Sequence, residues 1–359
     1  MKIAFITIQF GYNFGSIFQT IATKRILEEA GGEPVCINYI PPRYTEKRYW
    51  RDGSSDLARI VRRMLFYPVH IISKRNYSSY LAKHCPLTKA IYAEDDFLKE
   101  CPKVDCYITG SDQVWNYNHN EGLDKHYFFD GIQGKKIAFA SSIGMTELPE
   151  DYANYMKQML KQYSEISVRE ASAVEMLSNW GIQSTQLIDP TLMIKKEEWS
   201  KYASNRLCPE PYLFVYLPYN VSDKDTVYKT VRAIANKNGL KVVTYSWDYR
   251  NDNMADKTYT FADPGDILSL FIHAEQVVTN SFHGTAFSIN LNKQFWVYMP
   301  SHFSTRLLSI IELCGLQERM LDSVIDEDSI NKKIDFTEAN QILEKEREKA
   351  RKFIKTALT

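Results

Sequence analysis

Short runs of β-branched and apolar residues alternate with longer amphipathic stretches along this 359-residue chain, and that alternation restricts its fold more than any other feature. IAFITI at 3–8, SIFQTIATKRILEEAG at 16–31 and EPVCINYI at 33–40 read as one β-α-β unit. Further strands are predicted over 104–110, 136–144, 165–170 and 184–189, with helices over 148–162 and 170–180. Their apolar runs do not alternate with polar residues, so they suit a parallel sheet covered on both faces. The pattern then restarts with strands over 212–218, 241–247, 276–282 and 295–299, and with helices near 222–237, 265–273 and after His283. Two successive blocks of similar size predict an α/β fold of two Rossmann-like domains facing a cleft, with substrates at the carboxyl ends of the strands. The boundary is placed near residue 200, giving domains 1–200 and 201–359, the second ending in a charged terminal helix.

Composition excludes several function classes. Lys plus Arg is 44 and Asp plus Glu is 44, so no global field draws nucleic acid, and no nucleic-acid partner is expected. Six scattered cysteines lack zinc spacing and disulfide density, and no metal site is predicted. The amino terminus reads as a first strand rather than a leader, and no run approaches the roughly 18 apolar residues of a membrane span. A cytoplasmic protein is the expectation. The segment 57–84 combines Arg59, Arg62, Arg63, Lys74 and Arg75 with apolar residues at helical spacing. It reads either as a peripheral membrane contact or as an amphipathic helix pair packed on the first domain and broken or kinked at Pro68.

Four segments at predicted strand ends carry residues that core packing alone would not select. The first holds Gly11, Asn13, Gly15, Ser16 and Gln19, where a helix amino terminus offers N–H groups, and a simple turn capped by Ser16 explains it equally well. The second, Ser111, Asp112, Gln113, Trp115 and Asn116, reads as a saccharide surface, or as a capped turn with a buried tryptophan. In the third, Arg169 suits a two-pronged contact to carboxylate or phosphate, or an ordinary salt bridge, and Asp189 before Pro190 suits a catalytic carboxylate or, as the commoner role of Asp before Pro, a turn. The fourth runs Ser281, Phe282, His283, Gly284, Thr285. A histidine at a helix amino terminus has its charged form disfavoured by the dipole, which suits a group that cycles protons.

GYNFGSIFQ, YITGSDQVWN, SVREASAVEML, IDPTLM and SFHGTAFS, in this order over roughly residues 1–315, resemble the polysaccharide pyruvyltransferase family. The resemblance implies the B-type glycosyltransferase architecture, phosphoenolpyruvate as co-substrate with no other cofactor, and a saccharide acceptor, free or lipid-linked. Carried over by position, it makes Arg169 and His283 catalytic and donor-binding. Family members often have arginine two residues before the histidine, and this chain has Ser281 there. Arg306, with His302 as a weaker candidate, is the expected substitute. The donor site is then Arg169, Ser281, His283, Gly284, Thr285 and Arg306, and the acceptor site Asn13, Gln19, Ser111, Asp112, Gln113, Trp115 and Asn116. The implied role is pyruvyl ketal formation in surface or capsular polysaccharide synthesis. Two alternatives stay open: a nucleotide-sugar glycosyltransferase, for which the tyrosine-rich 243–251 would supply base stacking, and a saccharide-binding protein without donor chemistry.

Overall fold

The computed structural model describes residues 1–10, 13–46, 50, 57–221, 223–246, 251–299, 304–321 and 323–359. The chain divides into two compact units, residues 1–190 with 348–359, and residues 191–347.

The first unit contains β1 (Lys2–Ile6), β2 (Glu33–Cys36), β3 (Tyr39–Ile40), β4 (Ile91–Tyr92), β5 (Cys106–Thr109), β6 (Lys135–Ser141), β7 (Glu165–Val168) and β8 (Thr185–Gln186). Six of these form a parallel sheet in the order β2-β1-β5-β6-β7-β8, while β3 and β4 pair apart from it. All of β1 except Lys2 is buried, and so is the whole of β5, which is why their sequences show no polar alternation. The core of this unit is aromatic: Trp115, Tyr127, Phe128 and Tyr152 pack with Met156 and Val168. The helix Phe14–Glu29 starts at Asn13, whose carboxamide oxygen accepts from the Gly15 and Ser16 amides at 2.9 and 3.4 Å. Asn13, not Ser16, is therefore the cap.

The expected helix pair over 57–84 is one helix, Leu57–His84, that continues through Pro68. Proline removes one donor from the ladder, and Pro68 is exposed, so the loss falls where water can compensate.

In the second unit β9 (Tyr212–Tyr216), β10 (Lys241–Ser246), β11 (Lys257–Thr260), β12 (Gln276–Thr279), β13 (Gln294–Tyr298) and β14 (Met320–Leu321) form a second parallel sheet. Its order is β11-β10-β9-β12-β13-β14. Helix Lys224–Asn238 is capped by Asp223, and helix Pro264–His273 opens with a reciprocal capping box between Asp263 and Asp266. Helix Phe282–Asn290 follows β12 directly and is buried along all nine residues. In both sheets the strand order turns back on itself, between β1 and β5 in the first and between β9 and β12 in the second. Such reversals open a crevice at the carboxyl ends of the strands.

The unit boundary departs from the expected one in two places. Residues 191–200 belong to the second unit because Asn290 Nδ2 donates to the Thr191 and Ile194 carbonyls at 2.8 and 2.9 Å, and the Trp199 ring meets Phe287 at 5.1 Å. Arg347 closes the same corner, donating to the Leu192 carbonyl at 2.8 Å and to Asn290 Oδ1 at 3.0 Å. The last turns of the helix Thr337–Leu358 count with the first unit, where Phe353 stacks on Phe139 at 6.5 Å.

Candidate functional site

The candidate residues fall into two clusters, one at the strand reversal of each unit. In the first unit every strand from β5 to β8 ends on buried polar side chains: Ser111 and Asp112 after β5, Ser141 and Ser142 at β6, Arg169 and Glu170 after β7, and Asp189 after β8. Thr7 and Gln9 do the same after β1.

Arg169 organises this cluster. Its Nη1 makes a charge-assisted hydrogen bond to Asp189 Oδ2, and its Nη2 lies 3.7 Å from Asp112 Oδ1. Ser111 Oγ donates to the same Asp189 oxygen at 3.2 Å. Burial works against the guanidinium charge, but Asp189, then Asp112 and Glu170, outweigh it and hold the Arg169 pKa above the ordinary arginine range. Three carboxylates thus face one arginine, a field that receives hydroxyl groups and repels an added anion. Asp112 has a left-handed backbone with φ +67, and its carboxylate accepts from Ser16 Oγ and the Gln113 amide, both at 2.9 Å. Its side chain keeps 8% of its surface, whereas that of Asp189 keeps none. Ser142 Oγ is bonded to Glu170 Oε1.

The other expected acceptor residues are placed differently. Trp115 is fully buried, stacks on Phe128 at 5.8 Å and donates through Nε1 to the Tyr127 carbonyl at 3.3 Å. The expected saccharide platform is therefore a core residue, for the ordinary reason that a large ring buries more apolar surface there. Gln113 Oε1 accepts from Asn116 Nδ2 at 2.7 Å, and both press on Gly144, where a Cβ would stand 2.7 Å from Asn116 Nδ2. Gln19 is wholly buried and donates to Thr7 Oγ1 and Thr20 Oγ1 at 2.8 and 3.0 Å. It braces the turn from inside. Asn13 is exposed, and Gly11 lies outside the described residues.

In the second unit Ser281 caps the helix Phe282–Asn290, accepting from the Gly284 amide at 3.4 Å. His283 sits in the first turn at 5% exposure, its ring 5.1 Å from that of Phe282. Gly284 permits the helix start to press against the sheet, since a Cβ there would fall 2.2 Å from Thr279 Oγ1 and 3.0 Å from Tyr216 Cδ1. The Thr285 hydroxyl is buried with no hydrogen-bond partner among the described residues. Arg306, from the helix Ser304–Leu313, is 5% exposed and sets its guanidinium 5.4 Å over the Phe282 ring. Arg306 thus reaches the turn that follows Ser281 from a later helix. His302 lies outside the described residues.

A cavity of about 470 Å³ opens at the carboxyl ends of β9, β12, β13 and β14, lined among others by Asn220, Asn280, Gln317, Tyr298 and Met299. Asp223 also lines it, with its carboxylate on the Thr226 amide at 3.0 Å, and no cationic side chain is found among the described lining residues. A diphosphate would meet a carboxylate at this helix start. Of the tyrosine-rich stretch 243–251, residues 247–250 lie outside the described set.

Sequence reasoning missed Ser16 as a partner of Asp112, Asp189 as the partner of Arg169, and the Ser142–Glu170 pair. The available signal was the run AFASSIG, whose adjacent serines end an otherwise apolar strand.

A family model described as polysaccharide pyruvyl transferase matches residues 13–302. No curated protein matches the chain. Among solved structures, a putative UDP-N-acetylglucosamine 2-epimerase from Listeria monocytogenes is similar at TM-score 0.50 and 10% identity, over 98% of this chain and 91% of that one. A glycosyltransferase from Rickettsia africae aligns at TM-score 0.46 and 12% identity, over 98% and 93%. At such identity the Listeria likeness shows the fold alone, two Rossmann-like units as in B-type glycosyltransferases and sugar-nucleotide epimerases.

Proposed function

The chain belongs to the polysaccharide pyruvyl transferase family, and on that premise we propose that it moves pyruvate from phosphoenolpyruvate onto two hydroxyls of a saccharide, closing a ketal. The observation that carries this reading is that His283 and Arg306, an acid–base group and a cation, both stand against the Phe282 ring at one buried helix start. A carboxylate and a phosphate both need such a cation, since an unpaired buried anion is costly.

The reaction moves two protons. Protonated His283 delivers one to the methylene carbon of the donor, leaving C2 electron-poor. A saccharide oxygen bonds to C2, and the C2–O bond to phosphate breaks with its electron pair on phosphate. A second saccharide oxygen then bonds to C2. Two hydroxyl protons are released in all; one replaces the proton His283 gave up and the other leaves with phosphate. Arg306 and the amides at the helix start hold the donor carboxylate and steady the leaving phosphate. Thr285 offers a further hydroxyl. The chemistry asks for no cofactor besides the co-substrate.

Arg169 receives a revised role: it positions Asp112 and Asp189 rather than gripping the donor. Asp112, the carboxylate with residual surface, receives acceptor hydroxyls. We assign the acceptor to the first unit and the donor to the second, and place the reaction in surface or capsular polysaccharide synthesis in the cytoplasm. The nucleotide-sugar alternative is disfavoured by Asp223 at the cavity of the second unit.

The test is phosphate release from phosphoenolpyruvate with a panel of galactose-, mannose- and N-acetylhexosamine-terminated saccharides. Saccharide-dependent release is expected, lowered by about 10²–10⁴ in His283→Ala. Silence across the panel, with melting temperature raised by a nucleotide sugar and not by phosphoenolpyruvate, overturns the reading.

A further inference from the structure

The helix Leu57–His84 has one face turned inward and one bare. Val69, Ser73, Tyr77 and Leu81, spaced by four, are buried, and Tyr80 meets Phe18 edge-on at 5.8 Å, so this side is fastened to the first unit. Val61, Met64, Leu65, Ile71 and Ile72 recur at the spacing of successive turns and are 47, 60, 70, 38 and 48% exposed. At about 100° per residue the centres of the two stripes lie roughly half a turn apart. Trp50, 42% exposed, packs against Tyr67 at 4.9 Å beside the same helix. A row of large apolar side chains in water marks a surface that something covers.

Charge selects the occupant. LARIVRRMLFYPVHIISKRNYSSYLAKH contains six Lys and Arg residues and no Asp or Glu. Lys74 is paired with Glu46 at 2.7 Å, while Arg75 and Lys83 are exposed. A second copy of the chain would bring two such basic helices together against their repulsion. An anionic lipid surface answers both features at once, taking the apolar stripe into its acyl boundary and Arg75 and Lys83, on the same side of the helix, among its headgroups. No helix among the described residues is long and apolar enough to cross a membrane, so the contact is one that lies on the bilayer.

We propose that Leu57–His84 docks the first unit onto an anionic membrane surface through Val61, Met64, Leu65, Ile71 and Ile72. The docking is independent of the reaction assigned above and stands or falls without it.

The test is co-sedimentation of the full chain with vesicles of phosphatidylcholine alone and of phosphatidylcholine carrying roughly one third phosphatidylglycerol. Binding is expected to the anionic vesicles, weakening as salt screens the basic residues. Met64→Ser/Leu65→Ser/Ile72→Ser should lower the partition at least about tenfold. Arg75→Glu/Lys83→Glu should lower it by roughly fivefold or more for each residue changed. These side chains are exposed or at the surface, so both variants should melt with the parent, separating lost docking from lost folding. Three results overturn the proposal: no binding of the parent to anionic vesicles, binding unchanged in the serine variant, or a dimer of the parent that the serine variant dissolves. The last would assign the stripe to a second copy.

Discussion

Replacing Arg169 with methionine separates the two roles an arginine can have at this position. In the structure it is 4% exposed at the side chain and bonded to Asp189, whose side chain has no exposed surface. Removing the cation leaves Asp189 and its neighbours Asp112 and Glu170 buried without their counter-charge. Breaking a buried pair from one side costs about 3–5 kcal/mol. For a unit of about 200 residues, at roughly 2–4 °C per kcal/mol, the melting temperature should fall by roughly 6–20 °C. Thermal melting of Arg169→Met, Asp189→Asn and the double variant, run at several pH values, reads this loss. The double variant should recover much of the loss, because it removes the stranded charge along with its partner. A single Arg169→Met protein that melts within about 2 °C of the parent at every pH, with a raised KM for phosphoenolpyruvate, would refute the reasoning. The arginine would then be a donor clamp.

Three further perturbations test the second unit and the core. Gly284→Ala places a Cβ 2.2 Å from Thr279 Oγ1, itself tied to the Tyr216 carbonyl at 2.8 Å; a loss of about 1–3 kcal/mol by thermal melting is expected, and none would mean the helix start is loosely packed. Burial pushes the Cys106 thiol up to about 11 and Cys101 and Cys314 up to about 12, so at pH 8 roughly one Cys106 in a thousand is thiolate; these three should resist iodoacetamide in the native chain and react in urea, read by peptide mass. Arg306→Met should raise KM for phosphoenolpyruvate about ten- to a hundredfold, and Ser281→Arg added to it should win back part of that, since the Ser281 cap at 3.4 Å is weak. A double variant no better than Arg306→Met would separate the two positions.

Much of the fold could be read from the alternation of short apolar runs and amphipathic stretches, because a parallel sheet covered on both faces leaves few polar positions inside its strands. β11 and β14 escaped for the opposite reason. The first, KTYT, keeps partial exposure along its length, and the second is only two residues long. Pro68 misled because its rule concerns an interior hydrogen bond, and sequence does not say which side of a helix meets water. Trp115 misled in a related way: an aromatic residue among polar ones suits both a sugar face and a core, and only the ring of Phe128, across the turn, decides it.

The candidate clusters were legible as places but not as circuits. Polar residues at strand ends are a local signal, since the strand stops where the buried apolar run stops, and a strand reversal gives those residues a crevice to face. Their partners are not local. Ser16 meets Asp112 across 96 positions, Ser111 meets Asp189 across 78, and Arg169 meets Asp189 across 20. Which acid takes the arginine depends on strand order, β5 beside β6 beside β7 beside β8, and that order brings the ends of non-consecutive segments together. The consequence for chemistry is direct. An arginine read alone is an anion site, while the same arginine set among Asp112, Glu170 and Asp189 has its charge balanced from within, and the function we propose therefore takes the donor's cation from elsewhere. In the reaction we propose, that cation is Arg306, which a helix whose sequence shows no motif sets over Phe282 by packing rather than by pattern.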